Sequence, residues 1–87
     1  MRADKHKITS LLKTARGQIE GILKMVEDDR YCIDISNQLL AAESILRKIN
    51  NEILRAHMEN CVREAFQSGT EDEKIEELMA ILDKMAR

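Results

Sequence analysis

The sequence is poor in residues that interrupt helices, since its 87 residues include no proline and only three glycines. It also has no tryptophan, one tyrosine and one phenylalanine, whereas 34% of its residues are charged. This composition is typical of all-α proteins, because most of the remaining residues are good helix formers. A chain of this length buries a modest core, so oligomerisation is a natural route to further burial. We predict a single all-α domain over residues 1–87.

Long apolar runs and cysteine frameworks are missing as well. No stretch approaches the roughly 18 apolar residues that a membrane-spanning helix requires, and the opening residues MRADKHK show no secretory signal. The two cysteines, at positions 32 and 61, form no disulfide framework. These absences predict a cytoplasmic protein with reduced thiols. No acyl-binding pocket or oxyanion donor is recognisable around either cysteine, so we expect no enzymatic activity.

The spacing of apolar residues predicts three helices. The segment from Tyr31 to Phe66 lacks glycine and proline, and its apolar residues alternate between spacings of four and three, which predicts one long central helix. These residues are Ile35, Leu39, Ala42, Leu46, Ile49 and Ile53. The same spacing predicts a first helix from Asp4 to Val26 and a third helix after Gly69. Their apolar positions are Ile8, Leu12, Ala15, Ile19, Ile22 and Val26 in the first helix, and Ile75, Leu78, Leu82 and Met85 in the third. A lone helix cannot bury such a seam, so partner helices are expected.

Cys32, His57 and Cys61 are the candidate metal ligands. His57 and Cys61 are four residues apart, so their side chains share one face of the long helix. Cys32 cannot reach them within one chain, because about 37 Å of helix rise separates it from His57. Two chains packed antiparallel, with a two-fold axis near Ile45 and Leu46, bring Cys32 of one chain to His57 and Cys61 of the other. Two thiolates and one imidazole form a soft three-donor set that suits Cu(I), whereas structural zinc takes four ligands.

Charge is distributed unevenly, although the net charge is only −2. Residues 1–24 contain six basic and two acidic residues, which gives +4, whereas residues 25–87 contain eight basic and fourteen acidic residues, which gives −6. A basic first helix is compatible with nucleic-acid binding, and equally with an ordinary solvated helix face.

Several motifs resemble the CsoR family of copper-sensing transcriptional repressors. They are Gly17-Gln18, the string Asp29-Arg30-Tyr31-Cys32-Ile33-Asp34, Gln38 and His57-x-x-x-Cys61, and the similarity extends over nearly the whole chain. The resemblance implies antiparallel four-helix-bundle dimers, paired into a homotetramer, that bind operator DNA without a helix-turn-helix and are released by copper. It also implies that Cys32, His57 and Cys61 bind Cu(I) between protomers. Tyr31 and Glu77 match the pair that couples copper binding to loss of DNA affinity.

Related branches of the family differ at these positions. Nickel and cobalt sensors of the RcnR type have histidine at the position of Cys61. Formaldehyde sensors of the FrmR type have proline at position 2, where this chain has Arg2. Persulfide sensors of the CstR type keep both cysteines but lack the histidine that is His57 here. The copper branch is therefore the most similar.

The DNA-contacting positions resemble the family less closely. The basic residues that match or adjoin those positions are Lys13, Arg16, Arg47 and Lys48. Other positions that are usually arginine are Leu11, Thr14 and Glu43 here, and each lost cation weakens phosphate binding and its salt dependence.

Two alternatives to a copper-responsive repressor stay open at this point. The first is a repressor that senses persulfides or electrophiles through Cys32 and Cys61 as a disulfide or polysulfide pair. The second is a helical protein that binds copper without contacting DNA, which the loss of cations at Leu11, Thr14 and Glu43 favours slightly.

Overall fold

The computed structural model describes residues 1–85 and contains three α-helices. They are α1 (Lys5–Glu27), α2 (Cys32–Ser68) and α3 (Glu71–Met85). Within residues 1–85 there is no strand. The predicted all-α class with a long central helix is thereby confirmed, and the bounds of α1 and α2 differ from the predicted ones by one or two residues. The antiparallel pairing of two chains stays a prediction.

The helix ends carry the local signals that the sequence predicts. The Asp4 carboxylate accepts hydrogen bonds from the backbone N–H groups of His6 and Lys7, at 3.0 and 3.3 Å, and so caps α1. Asp29, in the turn before α2, has a φ of 52°, a left-handed conformation that aspartate tolerates better than most residues. Gly69 ends α2 with a φ of 75°, where a side chain would be strained. These two turns reverse the chain and set where each helix begins.

The chain forms two compact units, and α2 contributes to both. One unit covers residues 4–52 and consists of α1 with the first part of α2. The Lys7 ammonium at the start of α1 lies 3.2 Å from a carboxylate oxygen of Glu52, so the two segments run antiparallel. The buried residues of this unit are Ile8, Ala15, Ile22, Ala42 and Ile49. They are seven residues apart on each helix, so one ridge of α1 packs against one ridge of α2. The prediction of a single domain over residues 1–87 stays a prediction.

The other half of each predicted seam is exposed in the single chain. Its members are Leu12, Ile19, Val26, Leu39 and Leu46, each at least 46% exposed. An open groove of about 420 Å³ lies between the two helices, where Ile19 and Leu23 face Leu39 and Leu46. We call these exposed residues of α1 and α2, with Leu23, the open seam. Contiguous exposed apolar surface of this kind marks an interaction site.

The second unit consists of Met1–Ala3 together with residues 53–85. Here α3 folds back antiparallel on the last turns of α2, so that Val62 and Phe66 line a cleft with Ile75 and Leu78. Ala65 is the buried residue on the α2 side, and none of the residues of α3 is fully buried. The Arg2 guanidinium pairs with the Glu64 carboxylate, which holds the first residues of the chain against α2. Neither α1, α2 nor α3 is long and apolar enough to cross a membrane.

Candidate metal centre

His57 and Cys61 lie one turn apart on α2 and face Glu77 on α3. His57 Nε2 is 2.9 Å from Glu77 Oε1, and Cys61 Sγ is 3.8 Å from Glu77 Oε2. One donor atom from each of the three residues lies within 4.8 Å of the others, which is close enough for all three to surround one metal ion. The fold therefore brings together two of the three predicted ligands and one of the two predicted coupling residues.

A lysine that the sequence reasoning did not single out completes the cluster. Lys74 precedes Glu77 by one turn of α3, and its ammonium lies 3.4 Å from Glu77 Oε2. Lys74 lines the same small cleft as His57 and Cys61. Its spacing from Glu77 was a usable signal, because residues three apart on a helix are neighbours. That signal gains meaning only when the docking of α3 places both residues beside Cys61.

The cluster contains one acidic and one basic group, Glu77 and Lys74, and the pKa of each is shifted. The His57 hydrogen bond, and after it the hydrogen bond from Lys74, hold the pKa of the Glu77 carboxyl below its ordinary value. The pKa of Lys74 is raised, first by the Cys61 sulfur and then by Glu77. Glu77 is therefore a carboxylate and Lys74 an ammonium at neutral pH. The side chains of His57 and Glu77 are 44% and 41% exposed, so water and ions have access to the cluster.

The contact with Glu77 selects one tautomer of His57. A carboxylate only accepts hydrogen bonds, so His57 Nε2 must carry the proton and donate it. The other ring nitrogen, Nδ1, is then unprotonated in the neutral ring and has a lone pair for a metal. Carboxylates that hold ligating histidines in this way fix the orientation of the ring and increase its basicity. The donor set thus fits a soft metal bound by the Cys61 sulfur and a His57 nitrogen.

Cys32 and Tyr31 lie in the other compact unit, at the start of α2. Both side chains are exposed, and Tyr31 is 68% exposed. Among the described residues, the group of possible metal donors consists of His57, Cys61 and Glu77 and does not include Cys32. One chain therefore offers one thiol at the cluster and a second, solvent-exposed thiol elsewhere.

The four candidate DNA-contacting residues all belong to the unit of residues 4–52 and are exposed. Arg47 differs from the others, because its guanidinium is held 3.1 Å from the Glu43 carboxylate one turn earlier on α2. Within residues 1–85, Lys13, Arg16 and Lys48 make no such ion pair. Glu43 was noted in the sequence as a lost cation, and the structure shows that it also neutralises a neighbouring one.

Known proteins that resemble this chain are metal-sensing repressors. The copper-sensing transcriptional repressor CsoR of Bacillus subtilis is 37% identical over 84 residues, which cover 97% of this chain and 83% of that protein. CsoR of Mycobacterium ulcerans is 43% identical over 68 residues, which cover 78% of this chain and 58% of that longer protein.

Solved structures give the same result. The crystal structure of the copper-sensing repressor CsoR with Cu(I) from Geobacillus thermodenitrificans matches with a TM-score of 0.86 at 36% identity, over 100% of this chain and 94% of that one. The nickel-responsive transcriptional regulator InrS matches with a TM-score of 0.86 at 27% identity, over 98% and 96% of the two chains.

The match to a whole family covers almost every element described above. Residues 4–84 match the metal-sensitive transcriptional repressor family, from the cap of α1 to the last turn of α3. Since that range covers most of the chain and includes the His57–Cys61–Glu77 cluster, the chain belongs to the family of metal-sensitive transcriptional repressors.

Proposed function

We propose that this chain is a Cu(I)-responsive repressor that binds operator DNA without copper and leaves it when copper is bound. One observation carries the proposal. His57 and Cys61 share one face of α2, and Glu77 accepts a hydrogen bond from His57 Nε2. Sulfur and imidazole nitrogen are donors that Cu(I) prefers. The chain belongs to a family whose members sense metals, so the donor set is what decides which metal it binds.

The copper ligands in this proposal are Cys32, His57 and Cys61, with Cys32 supplied by a second chain. Cys32 is exposed at the start of α2, where a partner can reach it. The open seam supports the same arrangement, because it is an exposed apolar surface on α1 and α2 that a second copy of the chain can cover. An isologous dimer formed through this stripe would have two equivalent sites.

Copper would supply a soft cation that replaces protons on the two thiols. Residues of the chain itself would pass the effect of copper binding on to the rest of the protein. His57 presents one nitrogen to the site and holds Glu77 with the other, so a change at the site is passed from α2 to α3. Glu77 is also the link between the site and the rest of α3, because it contacts both His57 and Cys61.

Lys13, Arg16, Arg47 and Lys48 are the residues that would contact the phosphates of operator DNA. Their exposure supports this role, and the ion pair of Arg47 with Glu43 reduces the charge that the surface offers. A repressor of this kind acts where the DNA is, in the cytoplasm, and needs no enzymatic activity.

An anaerobic Cu(I) titration of the protein–DNA complex tests the proposal. The DNA is taken from upstream of the protein's own gene, and fluorescence anisotropy follows binding. We expect release after one equivalent of Cu(I) per protomer, and no release with the Cys61→Ala variant. Unspecific DNA binding that copper does not change would contradict the repressor role and leave the copper-carrier alternative. Release by a persulfide donor but not by Cu(I), with a sulfur bridge between Cys32 and Cys61 in the mass spectrum, would identify a thiol sensor.

A further inference from the structure

We infer that Lys74 is a specificity-determining residue that keeps the site selective for a monovalent copper ion by holding the Glu77 carboxylate away from the metal. This inference rests on the proposed Cu(I) function and goes beyond it, because it explains how the same cluster would reject divalent ions. It starts from the fact that three different donor types meet at this place. Their atoms lie within 4.8 Å of one another in a single chain.

The cluster contains the parts of a second kind of metal site. His57 Nε2, Cys61 Sγ and an oxygen of Glu77 are one nitrogen, one sulfur and one oxygen donor. With the Cys32 thiolate of a second chain, they make a set of four donors. Four donors of these types are what Zn²⁺ takes, whereas the three without Glu77 suit Cu(I). Whether Glu77 joins the site therefore decides which class of ion it favours.

The two uses of Glu77 exclude each other. When Glu77 accepts the proton of His57 Nε2, the ring offers Nδ1 to a metal and Glu77 stays outside the coordination sphere. When Glu77 binds a metal together with Nε2, that hydrogen bond no longer exists. The carboxylate must be held in one of these two positions for the site to be selective.

Lys74 holds it in the first position. Its ammonium lies 3.4 Å from Glu77 Oε2, the same oxygen that lies 3.8 Å from Cys61 Sγ. A metal that used this oxygen would have to displace the ammonium. The ammonium also adds a fixed positive charge beside the site, and it repels a divalent ion more strongly than a monovalent one.

The net charge of the cluster also makes Lys74 favour Cu(I) over a divalent ion. Two thiolates with one Cu(I) leave one negative charge at the site, and Glu77 adds a second that the Lys74 ammonium offsets. With a divalent ion the thiolates and the metal are already neutral, and Glu77 alone would complete the site. With Glu77 included, the copper-bound cluster carries two negative charges and the divalent cluster carries one, so the Lys74 ammonium stabilises the copper-bound cluster more.

The test compares Lys74→Met with Lys74→Arg, which keeps the positive charge, and with Lys84→Met as a matched lysine ten residues further along α3. Each full-length variant is titrated with Cu(I) against a competing chelator and, separately, with Zn²⁺ and Co²⁺. We expect Lys74→Met to increase Zn²⁺ affinity relative to Cu(I) by about tenfold. Lys74→Arg and Lys84→Met should keep the ratio of the wild type. Circular dichroism checks that each variant is folded.

Cobalt spectra show whether Glu77 is the reason. The Co²⁺ complex of Lys74→Met should have the visible bands of a four-coordinate site, and the double variant Lys74→Met/Glu77→Gln should lose both these bands and the gain in Zn²⁺ affinity. If wild type binds Cu(I) at the site but Lys74→Met has the metal preference of wild type, the inference about Lys74 is wrong and the proposed function stands. If wild type binds no Cu(I) at His57 and Cys61, the proposed function fails first and the inference fails with it.

Discussion

His57 Nε2 on α2 lies 2.9 Å from Glu77 Oε1 on α3, so the helix with the candidate ligands is tied to a helix that carries none of them. A change in the position or charge of the His57 ring would therefore alter a contact of α3. The link is a hydrogen bond between a ring and a carboxylate that are both partly exposed, so it can form and break without unfolding the helix pair. Allosteric coupling requires an element with two states, and this hydrogen bond is the candidate for that element in the cluster.

Loss of the Glu77 carboxylate should separate copper binding from DNA release. Glu77→Ala is expected to lower Cu(I) affinity much less than the loss of a ligand does, because Glu77 orients His57 and is not one of the proposed ligands. The variant should stay on DNA when copper is bound, which removes a coupling free energy of about 1–3 kcal/mol. DNA affinity measured with and without Cu(I), for wild type and variant, gives this quantity directly. A variant that still releases DNA as wild type does would show that the signal takes another route.

A mixing experiment should show that each copper site is shared between two chains. Cys32→Ala and Cys61→Ala are each expected to lose tight Cu(I) binding, since each removes one of two thiolates from every site. In a mixed dimer, one of the two sites has all its ligands intact. Refolding the two variants together should therefore restore one Cu(I) per mixed dimer, and X-ray absorption should report two sulfurs and one nitrogen. Restoration would be absent if all ligands came from one chain.

A charge in the open seam should prevent association without unfolding the chain. Leu46 is 46% exposed in the single chain, so Leu46→Glu costs little there. Burial of the unpaired carboxylate at an interface would cost several kcal/mol. We expect a folded monomer by sedimentation and circular dichroism, whereas Ser44→Glu, at an exposed polar position on the same helix, should associate as wild type does. Equal association of the two variants would exclude this face as the interface.

Removal of the Glu43 carboxylate should strengthen DNA binding. Glu43→Gln frees the Arg47 guanidinium from its ion pair and removes a negative charge from the surface. We expect higher DNA affinity and a salt slope steeper by about 0.9 for one added phosphate contact. Neutralisation of Lys13 or Lys48 should do the opposite, by a similar amount on every sequence. A salt slope that is the same for Glu43→Gln and wild type would place Arg47 outside the DNA-binding surface.

The Glu77 carboxylate should make folding stability depend on pH in the acid range. Its pKa in the folded chain is lowered, first by His57 and then by Lys74, so the folded state binds fewer protons there than the unfolded state. The stabilisation is therefore complete above about pH 4.3, the ordinary pKa of glutamate, and is lost as the pH falls through the lowered value. Melting curves of wild type and Glu77→Gln should differ at neutral pH and converge in acid. A difference that is constant over the acid range would contradict the assignment.

The helices were predictable because their signals are local. Asp4 at the start of α1 and Gly69 at the end of α2 act on the backbone next to them, and the heptad spacing is written into the sequence. The division of each seam was not predictable. Ile8 is buried and Leu12 is exposed, although both are apolar and both belong to the same seam, because the crossing of α1 and α2 decides which ridge each helix buries.

The part of the site that lies on a single helix was predictable from the spacing of its residues. His57 and Cys61 are neighbours in any helix, so their pairing needed only the sequence. Lys74 and Glu77 reach that pair through the turn at Gly69. The apolar spacing of α3 predicts a helix but does not predict where that helix docks along α2, so the position of Lys74 beside Cys61 was not predictable. The ion pair between Arg47 and Glu43 was predictable as well, because residues four apart on a helix are neighbours.

In a dimer that buries the open seam, the lifetime of the protein would depend on its concentration. When a second chain covers the stripe that contains Leu12, Ile19 and Leu46, association adds to folding stability by mass action, and the melting temperature rises with protein concentration. At low concentration the open seam of more chains would be exposed. Such chains lack the stabilisation by association, so they would unfold more often and be cleaved by proteases. A cell with a low concentration of this protein would therefore degrade it faster, because the groove between α1 and α2 would be covered in fewer of its chains.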